Sequence, residues 1–448
     1  FGFGGANASV VLASGPSYPQ PSCHSERAEL LTLSARSDEA LRALAIHSGA
    51  TLRSTNAAPA AFCGNAALGR MHLHHRLSVV GASREALADA LESFAMGETT
   101  ANIVSANLTS GTPRRLAFVF SGLGPQWWAM GRQLLASEPA FASMLERCDA
   151  ALRPLSVWSL IDEFRADEAS SRLTHPRLAQ VSNFALQVAL FNLYASWGIH
   201  PDAVMGHSGG AMAAAYVAGV HSLEDAIRVA FHRSDLQGRQ SMPGAMLAVG
   251  LPHGDLAAIL RGIENLVSLA AVNSPNAMTL SGDPAALSDL SVRLVERNVF
   301  ARMLPMTIAY HSAAMDPIRD EFLARVAGLR GEAARLPLVS DTTGTWVTDF
   351  SYDAGYWWDA IRRPVLFAQG VDTLLDAGYT SFLELSPHPV LATSINECMA
   401  ARKLQGLVVS SLRRNEDERT NLLRSLASLH VNGVSVDFQS LYRREPGV

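Results

Sequence analysis

The chain has 448 residues, and 36 Lys and Arg stand against 41 Asp and Glu, which gives a formal net charge of −5. Hydrophobic residues make up 48% and charged residues 17%, a composition that supplies a large core and excludes intrinsic disorder. The mild acidity without a basic stripe excludes nucleic acid as a partner, and no apolar run is long enough to predict a membrane span.

The cysteine and histidine spacings exclude two further classes of protein. Cys23, Cys63, Cys148 and Cys398 lie far apart without a CxxC pair. Such spacing is typical of reduced thiols, and the N-terminus has no secretory signal, so we predict a cytoplasmic protein. No group of potential ligands has metal-site spacing, and we expect no metal.

The first hundred residues alternate short strands with helices. FGFGGANASVVLA at the start predicts a glycine-rich turn and a strand, and the Pro- and Ser-rich stretch 14–25 indicates a linker. LLTLSARS and HHRLSVVGAS predict strands, whereas 38–52 and REALADALESFAMG predict helices. We therefore expect a small α/β unit over residues 20–112.

From residue 113 onward, strands alternate with longer helices, a pattern that predicts a mainly parallel sheet. LAFVFSG is a continuous apolar strand, as in a sheet buried on both faces, and 178–197 is apolar at helical spacing. Around 244–307 the order strand, helix, strand, strand, helix, strand predicts a ferredoxin-like insert. The predicted fold class is α/β, with a large α/β-hydrolase-like domain, this insert and a small α/β linker domain.

A G-x-S-x-G sequence, Gly206 to Gly210, lies between an apolar strand and an Ala-rich helix. A nucleophile elbow needs this context, because the glycines permit a sharp turn and the helix N-terminus offers N–H groups to an oxyanion. We therefore interpret Ser208 as a nucleophile. The alternative is an ordinary glycine-rich turn between a strand and a helix.

Three features downstream and upstream of this turn support a catalytic site. Arg233 can hold a carboxylate in a bidentate pair, although an arginine on a helix is usually solvated. His311 follows a strand-like run and is a candidate general base, although a single histidine is more often structural. The turn SGLGPQW at 121–127 offers amides at a second strand end that can complete an oxyanion hole.

These motifs belong to an ordered series along the chain. FVFSGLGPQWWAMGRQLL and GHSGGAMAAAYVAG are followed by VNSPNAMTLSGD, AYHSAAMDPI, YWWDAIRRPVLF and FLELSPHPVLA. The first two resemble FVFSGQGxQWxGMGxxL and GHSxGExAAAxVAG, the motifs of the acyltransferase domain of modular type I polyketide synthases. The others fall in that family's order, and the resemblance covers essentially the whole chain.

The resemblance also implies a division of the chain. The opening is similar to FGFGGTNAHVVLE, so 1–19 are expected to be the tail of a preceding ketosynthase, and 20–112 the linker from ketosynthase to acyltransferase. The large acyltransferase subdomain is expected over 113–243 and 308–405, with the ferredoxin-like subdomain at 244–307 between them. The stretch VVSSLRR to VSVDF is similar to the post-acyltransferase linker, expected over 406–448.

The family's chemistry implies a role for each motif residue. Ser208 is expected to attack the thioester carbonyl of an acyl-CoA, with His311 as general base. The backbone N–H groups of Gly209 and Leu123 are expected to hold the oxyanion. Arg233 is expected to bind the free carboxylate of a malonyl-type unit, and the acyl group then passes to the phosphopantetheine thiol of an acyl carrier protein. In this family a main-chain carbonyl orients the base.

Two positions depart from the family's motifs. Leu123 stands where the family usually has Gln, but a backbone N–H is its expected contribution. Ala211 stands where the family usually has Glu, which removes a carboxylate close to the nucleophile. These departures motivate an alternative interpretation, an inactive structural acyltransferase module. The retention of Ser208, His311 and Arg233 together argues against that alternative.

The four residues that end at the base bear on the extender unit. The family typically has HAFH for malonyl and YASH for methylmalonyl, whereas this chain has Ile308-Ala309-Tyr310-His311. Tyr310 is expected to fill the space of an α-methyl group, and one methylene in such a pocket is worth about 1–3 kcal/mol. Gly209, where methylmalonyl enzymes often carry Gln, opens space instead. We predict malonyl, with methylmalonyl or a larger unit as the alternative.

Two further residues are candidates for the substrate pocket. His207 either lines the carboxylate end of the pocket or shapes the turn, and Gln126 is a candidate for its mouth. The expected substrate is acyl-CoA, and the expected partners are an acyl carrier protein and the neighbouring ketosynthase domain, in antibiotic-type polyketide biosynthesis. No metal, nucleotide or redox cofactor is implied.

An α/β-hydrolase esterase with the same G-x-S-x-G is an alternative of another class. It needs an HGGG-like oxyanion loop, which the chain lacks, and the order Ser, Asp or Glu, then His. His388 after Asp372 or Asp376 mimics that order. Arg233 and the synthase-like linkers are unexplained by this alternative.

Overall fold

The computed structural model describes residues 27–108, 115–239, 243–348 and 352–442. The predicted ketosynthase tail at 1–19 lies outside the described residues. A first unit contains β1 (Glu29–Ala35), α1 (Asp38–Ser54), α2 (Pro59–Leu68), β2 (His75–Gly81), α3 (Arg84–Met96) and β3 (Ile103–Asn107).

The first unit is a three-stranded antiparallel sheet in the order β1-β2-β3, with its helices packed on the sheet. Both long helices start at a serine N-cap. The Oγ of Ser37 accepts the N–H of Ala40, and the Oγ of Ser83 accepts the N–H of Ala86. Each cap satisfies a backbone donor that the helix itself leaves unpaired, so local sequence fixes where these helices begin.

The second unit supplies the large sheet. Its first part contains β4 (Leu116–Phe120), α4 (Arg132–Ser137), α5 (Pro139–Leu152), α6 (Leu160–Arg165), α7 (Pro176–Ser196), β5 (Ala203–Gly206), α8 (Ala211–Val217) and α9 (Leu223–Gly238). An insert follows, with β6 (Ala245–Val249), α10 (Leu256–Leu260), β7 (Val267–Ser274), β8 (Ala277–Gly282), α11 (Pro284–Glu296) and β9 (Ala301–Met303).

The chain then returns to the large sheet and ends on both units. This part contains α12 (Arg319–Arg325), β10 (Leu338–Val339), α13 (Ala354–Arg362), α14 (Phe367–Asp376), β11 (Ser381–Leu385), α15 (Ala392–Ala401), β12 (Leu407–Ser410), α16 (Glu418–Val431) and α17 (Phe438–Tyr442).

The large sheet is parallel throughout, in the order β10-β5-β4-β11-β12. Every residue of β4 is buried. Phe118 and Phe120 join the hydrophobic core on one face, and Ala117 and Val119 join the core on the other, because successive side chains of a strand point to opposite faces. This explains the continuous apolar run in the sequence.

The insert forms a four-stranded antiparallel sheet in the order β7-β8-β6-β9, with its own hydrophobic core. This is the ferredoxin-like arrangement of strands and helices that the sequence predicted. With the parallel sheet and the first α/β unit, it confirms the predicted fold class. The boundaries drawn from the sequence stay predictions.

The C-terminal segment joins the two units. Strand β12 adds to the edge of the large sheet beside β11, and α16 packs against β2 and β3 of the first unit. Arg76 of β2 donates to the carbonyl of His430 over 2.8 Å, and Arg419 donates to the carbonyl of Ala28 over 2.9 Å. The residues assigned to the post-acyltransferase linker therefore contribute a strand to the large sheet as well.

In the described part of the chain, no helix combines the length and apolar character that a membrane crossing requires.

Candidate active site

The G-x-S-x-G sequence forms a strained turn at the carboxyl end of β5. Ser208 has φ 50°, in the left-handed region, which costs a non-glycine residue about 1–3 kcal/mol. A Cβ on Gly210 would lie 2.1 Å from the carbonyl oxygen of Phe120, and one on Gly206 would lie 2.3 Å from the backbone of Ala211. Only glycine fits both positions, so these two glycines permit the turn that projects Ser208.

A hydrogen-bonded relay links the Ser208 hydroxyl to a histidine. The Oγ of Ser208 lies 2.7 Å from Nε2 of His311, and Nδ1 of that ring lies 2.8 Å from the main-chain oxygen of Arg363. A carbonyl can only accept, so Nδ1 carries the proton and Nε2 is free to accept the serine proton. The geometry is that of a nucleophile with its base.

The His311 imidazole is held in its neutral form. Its side chain is 4% exposed, and burial together with the positive charge of Arg233 lowers its pKa to about 3, against the opposing hydrogen bond to the carbonyl of Arg363. A neutral ring can accept a proton at any pH near neutrality. The carbonyl that orients it belongs to the loop after α13, and a carbonyl has no signature in a sequence.

Arg233 projects from α9 onto the same serine. Its Nη2 donates to the Oγ of Ser208 over 2.9 Å, and its Nη1 lies 3.4 Å from the carbonyl oxygen of Ser208. The residue is 2% exposed, and burial lowers its pKa to about 10, an effect that the charge of Asp341 opposes. Arg233 therefore remains a cation at neutral pH, buried within reach of any acyl group on Ser208.

Asp341 completes the surroundings of Ser208, and sequence reasoning missed it. Strand β10 pairs in parallel with β5, so the residue two positions after its end lies beside the turn. The carboxylate of Asp341 accepts the backbone N–H of Ser208. The signal in the sequence is SDTTG after an apolar strand, which shows its meaning only when the neighbouring strand is known.

The predicted oxyanion turn at 121–127 lies against the elbow. A Cβ on Gly122 would lie 3.6 Å from the Cβ of Ser208. Leu123 is the next residue, so its backbone lies near the same serine that Gly209 follows. Within the turn, Oε1 of Gln126 accepts the N–H of Gly124 over 2.7 Å. The side chain of Gln126 thus braces the turn from within.

Contacts from two other segments also fix this turn. Nδ2 of Asn183 on α7 lies 3.2 Å from the carbonyl oxygens of both Ser121 and Gly122. From the C-terminal segment, Arg414 donates to the carbonyl of Gln126 over 3.2 Å and lies 3.5 Å from that of Pro125. The amides that the turn carries are therefore positioned by residues far away in the sequence.

His207 is bound on the side of the insert. Its Nε2 lies 2.9 Å from Oδ1 of Asn273 on β7, whose Nδ2 donates to Thr279 over 3.0 Å. The ring packs against Phe367. Burial lowers the pKa of His207, which keeps the ring neutral. These contacts hold the His207 ring beside the turn, and its place at the carboxylate end of the substrate pocket stays a prediction.

Tyr310 is buried beside the base, where burial raises its phenol pKa to about 12 against the opposing charge of Arg233. The bulky neutral side chain therefore occupies space near the cation. Ala211, the position where a Glu was expected, is 4% exposed and packs in the main hydrophobic core. A glutamate side chain at position 211 would start from this apolar core, and the alanine leaves no carboxylate there.

The alternative esterase triad is not assembled. Asp372 and Asp376 both pair with Arg402, and Nδ1 of His388 accepts the N–H of Arg414 over 3.2 Å. The serine's histidine partner is His311. Within the described ranges, no group of three or more His, Cys, Asp or Glu residues has the arrangement of a metal site.

A serine, a neutral histidine and a buried arginine therefore meet at the carboxyl end of β5. The sequence pattern of the family described as "Acyl transferase domain" matches residues 117–436, so the chain belongs to the acyl transferase domain family. A second family, described as "CurL-like, PKS C-terminal", matches residues 29–91, which lie in the first α/β unit.

Proteins similar to this chain in sequence include polyketide synthases. The chain is 37% identical over 444 residues to polyketide synthase GfsE of Streptomyces halstedii and 34% identical over 440 residues to erythronolide synthase EryA2 of Saccharopolyspora erythraea. In both cases 97% of the chain is covered, and it spans 12% of the relative's length.

Solved structures agree with these relatives. The acyltransferase domain from module 8 of the salinomycin polyketide synthase has a TM-score of 0.86 at 33% identity, covering 92% of this chain and 98% of that one. The acyltransferase domain of SpnD, solved with 2-(pent-4-yn-1-yl)malonyl, has a TM-score of 0.78 at 29% identity, covering 91% of this chain and 96% of that one. The predicted resemblance to polyketide synthase acyltransferases is confirmed.

Proposed function

We propose that the chain moves a malonyl-type extender unit from CoA to the phosphopantetheine thiol of an acyl carrier protein through an acyl-Ser208 intermediate. The observation that carries this proposal is the convergence of two groups on one hydroxyl. Nε2 of His311 lies 2.7 Å from the Oγ of Ser208, and Nη2 of Arg233 lies 2.9 Å from it.

In the first half-reaction His311 takes the proton of Ser208 while the serine oxygen attacks the thioester carbonyl. The hydrogen bond from Arg233 makes this proton easier to remove, because a cation stabilises the developing negative charge on Oγ. The N–H groups of Gly209 and Leu123 receive the oxyanion of the tetrahedral intermediate. The carbon–sulfur bond then breaks, His311 gives its proton to the CoA sulfur, and CoA leaves.

In the second half-reaction the same base serves a second thiol. His311 takes the proton of the phosphopantetheine thiol, and the thiolate attacks the ester carbonyl of the acyl-serine. When the intermediate collapses, the bond to Ser208 breaks and the proton returns to the serine oxygen. Because the imidazole starts and ends neutral in each half-reaction, one buried histidine performs both in a ping-pong scheme.

Arg233 sets the class of acyl group in this scheme. A malonyl unit carries a free carboxylate, and a guanidinium holds such a group in a bidentate, charge-assisted pair. Burial excludes water from this pair and strengthens it. The malonyl-type ligand in the SpnD structure supports this assignment by analogy.

Malonyl itself is the favoured unit, with methylmalonyl or a larger malonyl as the alternative. The buried Tyr310 lies beside the base and near Arg233, where it would fill the space that an α-substituent needs, whereas Gly209 opens space and leaves room for the alternative. One methylene changes selectivity by about 1–3 kcal/mol, so we expect malonyl to be loaded faster than the larger units, and the larger units still to be loaded. The partners are the acyl carrier protein and the ketosynthase domain of the same synthase, in the cytoplasm, and the reaction needs no metal or redox cofactor.

Intact-protein mass spectrometry tests this proposal. The chain is mixed briefly with equal amounts of malonyl-, methylmalonyl- and ethylmalonyl-CoA, beside a Ser208→Ala variant and a Ser83→Ala control remote from the site. We expect a malonyl adduct on the parent and the control, and none on Ser208→Ala.

Two results contradict the proposal. The absence of an adduct from each of these CoA esters would favour an inactive structural module. Hydrolysis of simple p-nitrophenyl esters without transfer to a carrier protein would favour an esterase. A tenfold faster loading of methylmalonyl or ethylmalonyl would leave the chemistry in place and overturn the assignment of malonyl.

A further inference from the structure

Ser208 lies between two buried side chains of opposite charge. Arg233 reaches its Oγ and carbonyl oxygen, and the carboxylate of Asp341 accepts its backbone N–H. Arg233 is 2% exposed and Asp341 is 3% exposed, so neither charge is screened by bulk water. Each side chain comes from a different segment of the chain, α9 and the loop after β10.

The amide contact acts on the strained part of the elbow. Ser208 holds φ 50°, a conformation that persists only when surrounding contacts enforce it. A carboxylate that accepts a buried N–H makes one of the stronger hydrogen bonds in a protein. Removing this acceptor leaves the donor unsatisfied and releases the serine from one of its two polar contacts to side chains outside the relay.

Asp341 also acts through its charge on Arg233, the cation that the substrate carboxylate is to meet. The negative charge of Asp341 is the largest influence that opposes the lowering of the Arg233 pKa by burial. Burial raises the pKa of Asp341 to about 6, while the Ser208 N–H and the charge of Arg233 oppose this rise. Above that pH, one buried cation and one buried anion lie next to Ser208.

We infer that Asp341 is a positioning residue for the nucleophile and a counter-charge that weakens carboxylate binding to Arg233. This inference rests on the proposed function, since it assumes that Arg233 receives a carboxylate. A bound malonyl group brings a second anion to a site that already has one. The ground-state complex is therefore loosened, whereas the serine keeps its orientation for attack. One side chain has both roles, and suitable substitutions of Asp341 can remove the charge with or without the hydrogen-bond acceptor.

Asparagine and alanine divide the two roles. Asp341→Asn keeps an oxygen that can accept the Ser208 N–H and removes the charge. Asp341→Ala removes both. Asp89→Asn on α3 removes one negative charge from an exposed position of the first unit and serves as the matched control.

The test measures two quantities at pH 8 that need no CoA turnover. The first is the rate at which phenylmethylsulfonyl fluoride, a neutral reagent, labels Ser208, followed by intact mass. The second is the concentration of free malonate that halves this rate. For Asp341→Asn we expect a labelling rate within twofold of the parent and a half-protecting malonate concentration about three- to tenfold lower.

For Asp341→Ala we expect the same tighter malonate protection together with labelling slowed about fivefold or more, because the serine has lost its amide acceptor. Asp89→Asn is expected to match the parent in both quantities. Unchanged malonate protection in Asp341→Asn would overturn the counter-charge, and unchanged labelling in Asp341→Ala would overturn the positioning role.

Failure of the proposed function gives a different pattern. In that case malonyl-CoA leaves no adduct on the parent, or free malonate gives no protection in any variant. The labelling rates of the Asn and Ala variants then still decide whether Asp341 positions the nucleophile, and the counter-charge is rejected with the proposed function.

Discussion

The first α/β unit differs in backbone strain and in buried charge from the edge of the large sheet where the carboxyl ends of its strands carry the candidate site. In the unit, β1 and β2 pair without a break in register, serine caps start the two long helices, and a cluster of apolar side chains packs between the helices and the sheet. At the edge, Ser208 and His311 both have positive φ, and charged groups are buried around them.

The difference separates what stabilises the molecule from what makes it reactive. Strained backbone and buried charges cost free energy, and they persist where the rest of the fold enforces them. The first unit has local signals that agree with its final structure, which is typical of a region that contributes stability. Substitutions at the edge are expected to change chemistry, and substitutions in the unit are expected to change stability.

The largest expected effect is on the base. His311→Ala should slow acylation of Ser208 by malonyl-CoA about 10³-fold, because positioned general bases contribute about 10²–10⁴-fold. The midpoint of thermal unfolding should change little. Single-turnover mass spectrometry measures the rate, and His388→Ala is the control. An equal loss in His388→Ala would contradict the assignment of the base.

In the first unit, the corresponding change should act on stability. Leu87 of α3 is fully buried among the apolar side chains of that unit. Leu87→Ala should lower the free energy of unfolding by about 2–5 kcal/mol, while folded protein acylates at the parental rate. Urea unfolding checks the first value, with Ile46→Ala at an exposed position as control. A parental midpoint for Leu87→Ala would be evidence against the comparison.

The pH dependence sharpens the same contrast at the edge. Because burial and Arg233 lower the pKa of His311 to about 3, the base stays neutral as the pH falls. At saturating malonyl-CoA the acylation rate should be flat from pH 8 to pH 5. A histidine with an ordinary pKa near 6.5 would lose about thirtyfold at pH 5. A decline of about thirtyfold centred near pH 6.5 would contradict a desolvated, neutral ring, because protonation of Asp341 near pH 6 is expected to change the rate by less than about twofold, as in Asp341→Asn.

The smallest expected effect concerns a helix cap of the first unit. Ser83→Ala removes the Oγ that accepts the N–H of Ala86 and should cost about 1 kcal/mol of stability without changing the acylation rate. Ser83→Asp, which keeps an acceptor of similar N-cap preference, should leave the free energy of unfolding nearly unchanged. Urea unfolding of the three proteins gives the comparison, and equal losses in both variants would exclude capping as the cause.

Much of the fold could be predicted because its patterns are local. The unbroken apolar run of β4, the helical spacing of α7 and the alternating elements of the insert all appear in the sequence. Helix α2 was missed, because PAAFCGNAAL has small residues on every side and no distinct apolar face. Its helix depends on packing against β1 and α17.

The candidate site could be predicted where a side chain lies in a motif. The sequence indicated Ser208, His311 and Arg233, and the structure brings them together. Asp341 was not indicated, and the family resemblance implied a main-chain carbonyl for the base without naming Arg363 as its source. The first reaches the serine only through the pairing of β10 with β5, and the second acts through the backbone, which all residues share.

The C-terminal segment has a consequence for exchanging such domains between synthases. Arg414 binds the carbonyls of the turn that carries Leu123, and the carboxylate of Glu418 accepts the N–H groups of Gln133 and Leu134 at the start of α4. If a domain is transferred to another synthase without Arg414 and Glu418, its turn and the start of α4 would contact the residues of the recipient synthase at these positions. The unit to transfer is therefore the large sheet together with β12 and α16.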